Sequence, residues 1–128
     1  MPRCRPPPSS YCEPKGAEPA TWHWFSINGD GQRPLFAFPG VWTRYGPLKK
    51  NGENVEQEVF DFMTTEPNGL TVCINHERTP VLLSNQADFE TWFSGSPEEA
   101  FKLARSYAAD QMRIVQWGSE RKDLLAAA

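Results

Sequence analysis

The chain has 128 residues, 39% of them hydrophobic and 12% aromatic, with five tryptophans and a net charge of −3. That is one domain able to bury its own core, too aromatic for disorder and without the global basic field that would draw it onto nucleic acid. Three cysteines without CxxC spacing exclude a disulfide framework and a structural zinc site, and no apolar run reaches membrane-spanning length.

In chain order, residues 1–10 hold four prolines and two arginines and predict an extended, PPII-like lead-in to a single domain over residues 1–128. Tyr11-Cys12-Glu13 follows as a strand-like run that sets a carboxyl among apolar neighbours. Thr21–Ile27, TWHWFSI, is β-favouring throughout, and Asn28-Gly29-Asp30-Gly31 predicts a hairpin turn into a returning strand over residues 35–45, broken at Pro39-Gly40. The polar stretch 46–58 reads as a surface loop. Residues 59–65, 70–74 and 79–83 read as three further strands.

Helix signals come late. Ser84 or Asn85 caps a short helix with Phe89, Trp92 and Phe93 on one face. Ser96-Pro97-Glu98-Glu99 is a capping box that opens a second helix to about Ser106, and residues 112–117 close the chain as a strand. The order predicts an α+β fold: a mainly antiparallel, barrel-like sheet with two short helices in the C-terminal half.

Glu13 and His76 are the candidate proton carriers. Each lies in or beside an apolar run, where an ionisable group can be tuned towards neutrality. Taken alone, Glu13 reads as a surface carboxylate and His76 as a loop histidine bonded to backbone. Cys12 beside Glu13 raises a thiol-nucleophile reading, although free cysteines are more often small buried hydrophobes. His23, between Trp22 and Trp24, reads as an exposed strand residue. Arg3, Arg5 and Lys15 form a basic cluster near Glu13 in sequence, which Arg44 and Arg78 would join through the fold; phosphate contact and a solvated edge are the two readings of that set. Ligand spacing for a metal is missing, and no cofactor is expected.

Five segments in order resemble the SOS response-associated peptidase family of abasic-site processing proteins. Arg3-Cys4-Arg5-Pro6-Pro7-Pro8-Ser9-Ser10-Tyr11-Cys12-Glu13 matches the family block Arg-Cys-Leu-x-Pro-x-x-x-(Phe/Tyr)-x-Glu without a gap. The stretches from Pro34 to Tyr45 (PLFAFPGVWTRY), from Phe62 to Asn68 (FMTTEPN), around His76 (NHERTPVLL) and from Met112 to Val115 are similar to four more.

The resemblance implies chemistry on abasic sites in single-stranded DNA, linked covalently through an N-terminal cysteine exposed by self-processing. It gives Glu13 the proton-moving role of the family glutamate and His76 that of its histidine, with Asn75 at the place where some members carry it. Arg3, Arg5, Lys15, Arg44 and Arg78 become candidate DNA contacts. Pro2 follows Met1 where the family opens Met-Cys-Gly-Arg, so the expectation is a chain incomplete at its start, without the nucleophile and unable to close a thiazolidine ring. The partners expected are single-stranded DNA and, through open sheet edges, further copies of the chain, in a cytoplasmic protein that joins the nucleoid when bound to DNA. The readings that compete are a non-catalytic module binding single strands or protein, and a thiol hydrolase using Cys12 and His76.

Overall fold

The computed structural model describes residues 3–4, 8–29, 33–75 and 77–124. The elements run β1 (Arg3–Cys4), β2 (Tyr11–Lys15), β3 (Thr21–Ile27), β4 (Gly40–Lys50), β5 (Glu53–Phe62), β6 (Thr64–Thr65), β7 (Thr79–Pro80), α1 (Gln86–Ser94), α2 (Pro97–Phe101), a 3₁₀ turn (Ala109–Gln111) and β8 (Met112–Gly118). Every strand pairing is antiparallel, in the orders β1-β4-β5, β2-β3-β8 and β6-β7. The α+β class and the antiparallel sheets hold. Among the described residues the strands form separate sheets, and no closed barrel is found.

The β2-β3-β8 sheet carries the first core. One face presents Tyr11, Phe25, Ile27 and Met112, which meet Phe36 and Leu82. Tyr11 is the hub, stacked on Phe25 at 5.3 Å and edge-on to Phe36 and Phe38. The second core packs Val81, Leu83, Trp92, Ala100 and Leu103 under the helices. Residues 81–83 join the two cores through strand alternation: Val81 and Leu83 point to the helices, and Leu82 points to the sheet. Backbone bonds between Ala37 and Leu83 and from Val81 N–H to Met63 C=O fix this segment in place.

Local signals decide the helices. Asn85 caps α1 by accepting from the Asp88 N–H, and Ser96 with Glu99 completes the capping box of α2. The face expected on α1 is only partly used, since Trp92 is buried and Phe93 is exposed. The second helix stops at Phe101 rather than near Ser106.

Three other expectations fail. Stretch 46–58 is not a loop but most of a long hairpin, turning at Asn51-Gly52 with φ of 51° and 81°. Asn-Gly is the favoured pair for that left-handed turn, and the polar side chains are tolerated because neither face there is covered. The partner assigned to β3 is also wrong. β3 pairs with β2 and β8, residues 33–39 form no regular strand, and β4 pairs with β1 and β5. Part of the expected turn, Asp30 and Gly31, lies outside the described residues.

Finally, residues 70–74 form a helical turn instead of a strand. Asn68 organises it: Oδ1 accepts from the Leu70 and Thr71 N–H groups at 2.9 and 3.0 Å, and Nδ2 donates to the Tyr107 carbonyl at 2.6 Å. A side chain that offers the backbone local partners overrides the β preference of Val72 and Ile74.

Candidate functional site

Strand alternation puts Tyr11, Glu13 and Lys15 on one face of β2, with Cys12 and Pro14 on the other. Tyr11 enters the core, Lys15 is exposed, and Glu13 stands between them at the rim, partly buried. Register sets His23 of β3 opposite Glu13, and Trp117 of β8 opposite His23. One row across the sheet therefore reads Glu13, His23, Trp117. The Nδ1 of His23 is buried and has no hydrogen-bond partner among the described residues.

Asn75 reaches Glu13 from outside the sheet. The turn built on Asn68 ends with the Asn75 N–H bonded to the Thr71 carbonyl, and Asn75 Oδ1 accepts from the Glu77 N–H at 3.1 Å and the Arg78 N–H at 3.5 Å. With its oxygen engaged, the amide offers its N–H₂ group to the Glu13 carboxyl, a side-chain hydrogen bond that favours the ionised form. Burial outweighs it, and the Glu13 carboxyl is held above its ordinary value of 4.5. Beneath Glu13, burial pushes the Tyr11 phenol up to about 12, so it stays neutral, with Thr79 Oγ1 at 3.4 Å from its hydroxyl.

Cys12 lies on the opposite face. Burial raises its thiol pKa and Glu13 adds to the rise, while the Arg121 guanidinium works against it. That environment suppresses the thiolate a nucleophile needs.

The basic residues are dispersed. Arg3 lies in β1 and donates to the carbonyls of Trp92 and Gly95, with its guanidinium 5.4 Å from the Trp92 ring centre. It ties β1 to α1. Arg44 is exposed on β4, 3.8 Å from Glu58. Arg78 donates to the hydroxyl and carbonyl of Thr64, at 3.0 and 2.6 Å, beside a cleft of about 490 Å³ that Arg105 also lines. Of the four described cations, Lys15 alone shares the strand face of Glu13; Arg5, like His76, lies outside the described residues.

Asn75, His23 and Trp117 were not singled out as the partners of Glu13. Nothing local marks them, because their meeting is set by strand register and by a turn more than fifty residues away. Among the described residues no group of three or more His, Cys, Asp or Glu side chains could hold a metal ion, and no helix is long and apolar enough to cross a membrane.

A half-buried carboxyl with a fixed amide donor, at the rim of an aromatic core, defines a class of site suited to proton transfer. The family model of the SOS response associated peptidase (SRAP) matches residues 2–120, and the chain belongs to that family. None of the curated proteins compared with it matches.

Proposed function

We propose that this protein recognises abasic sites in single-stranded DNA as part of the response to DNA damage, with Glu13 as the proton carrier. The observation that carries this reading is the Glu13 carboxyl, desolvated yet held by Asn75, in a chain of the SOS response-associated family. An abasic deoxyribose is a cyclic hemiacetal that must open to expose an aldehyde. Opening needs a proton on the ring oxygen as the bond from C1′ to that oxygen breaks, while the C1′ hydroxyl gives its proton to water. A carboxyl tuned upward keeps more of its acid form near neutral pH and is the better donor. Asn75 fixes the orientation of that carboxyl, and His76, next along the chain, is the second proton carrier that the family resemblance supplies. The phosphates fall to Lys15 and, through the cleft beside Thr64, to Arg78, with exposed Arg44 as a further candidate contact; Arg3 is held by α1, and Arg5 remains a candidate from the sequence alone.

The test is fluorescence anisotropy with two labelled single strands that differ only in one central abasic site. The wild-type protein should bind the abasic strand more tightly, and Glu13→Gln should bring the ratio of the two affinities to one. Equal affinities in the wild type would refute the reading.

A second reading, a module that binds a protein partner, draws on the hairpin, where Tyr45 and Val59 are exposed on one face and Phe60 on the other. It would be favoured by an abasic preference that is absent from the outset.

A further inference from the structure

We propose that Trp117 is a stacking platform for the nucleobase next to the sugar that Glu13 receives; this rests on the single-strand reading above. Aromatic side chains carry so much apolar surface that chains normally bury them. Trp92 is buried, and Trp22, Trp24 and Trp42 are each partly covered, whereas Trp117 is 71% exposed. No ring or cation of the described residues lies against its indole, in contrast to Trp22, which has Arg121 at 4.6 Å.

Its direction is set by a one-residue device. β3 and β8 pair as Phe25 with Ile114 but as Trp24 with Gln116, so Val115 is an extra residue, a bulge. Without it, Trp117 would stand opposite Trp22, on the far face with Cys12. With it, Trp117 stands opposite His23, on the face of Glu13. Bulges re-aim side chains beside functional sites, and this one brings the single strongly exposed indole among the described residues into the row of the proton carrier.

Neighbouring strands are ~4.8 Å apart, so Trp117 lies roughly 10 Å across the sheet from Glu13, a span that an adjacent base can bridge. His23 between them is short enough to leave the path open, and Lys15 on the same face offers a charge to the phosphate. A base is the occupant that fits: every nucleobase has a π-face, and stacking on an exposed ring asks for no matching pocket.

The experiment uses the full chain and a labelled oligothymidylate without lesions, at one fixed low salt concentration. Trp117→Ala should weaken binding by about 5- to 150-fold, the range of one lost base–aromatic stack. Trp117→Phe should recover most of the affinity. Trp117→Leu, which keeps apolar bulk without a ring face, should remain as weak as Trp117→Ala. Because the side chain is exposed, the variants should melt like the wild type.

Wild-type binding by Trp117→Ala would overturn the platform and leave the abasic preference standing. Recovery by Trp117→Leu would also overturn it, as plain hydrophobic contact. If sedimentation showed a dimer that Trp117→Ala dissolves, the indole would be a self-association surface and the proposal wrong. A wild-type protein that bound no strand, lesioned or intact, would instead remove the reading beneath it.

Discussion

The β2-β3-β8 sheet and the β4-β5 hairpin both carry glutamates and aromatics, yet the first sets its glutamate against a core and the second holds its glutamates out in water. The sheet lays one face on the aromatic core around Tyr11, so a side chain at the end of that face is caught between burial and solvent. The hairpin projects with both faces open over most of its length, and its Arg44 and Glu58 side chains are 71% and 66% exposed. Water screens that pair to little effect. The Glu13 carboxyl, at the rim of the core, is instead displaced from its ordinary behaviour by desolvation. The rim of a core, rather than a composition, makes a candidate site.

The contrast is open to substitution, beginning with the largest effect. Phe25, fully buried, should cost about 3–5 kcal/mol on change to Ala, while exposed Phe60→Ala should stay within about 0.5 kcal/mol, both read by urea denaturation. A hairpin phenylalanine that proved as costly would mean that its face is covered in solution.

Within the hairpin, the backbone should matter more than the side chains. Gly46 has a φ of +147°, and a Cβ there would stand 2.9 Å from the Val55 carbonyl oxygen. Gly46→Ala should therefore lose about 1–3 kcal/mol, with faster hydrogen exchange confined to β4 and β5. Two arginines sharpen the comparison further. Arg3→Ala should lose about 1–2 kcal/mol, because two carbonyls and the Trp92 ring lose their partner. Arg44→Ala should lose no more than about 0.5 kcal/mol.

The one expected gain belongs to the site. The folded-state pKa of Glu13 is raised, so the folded chain holds a proton that the unfolded chain has already released. Stability therefore falls as pH rises through that window, and the cost of the buried charge is absent below the ordinary value of 4.5. Glu13→Gln should stabilise the protein at neutral pH by at most about 1 kcal/mol, because half the carboxyl still meets solvent, and the gain should vanish in acid. Thermal melting at two pH values reads both the sign and its disappearance.

What could be read in advance follows the range of the forces. The Asn85 cap and the Ser96–Glu99 box lie within four residues of what they satisfy, and both helix starts were legible. So were β3 and β8, which are built of β-favouring residues. The hairpin read as a loop because two uncovered faces leave no alternation; its only local signal was Asn51-Gly52. The turn at residues 70–74 read as a strand because Val72 and Ile74 say so by propensity, while the deciding bonds come from Asn68.

Glu13 itself was legible through its sequence block. Its surroundings were not. Asn75 arrives on that turn, His23 by register, and Trp117 by the extra residue at Val115, none of which a local pattern encodes.

The central claim is that Glu13 is a tuned carboxyl that meets the abasic sugar. The most direct measurement is a titration of its side-chain carbon by NMR, free and with each of the two single strands. We expect a midpoint above 4.5 in the free protein, higher still in Asn75→Ala, and moved by the abasic strand but not by the intact one. A midpoint at or below 4.5, or the same response to both strands, would contradict it.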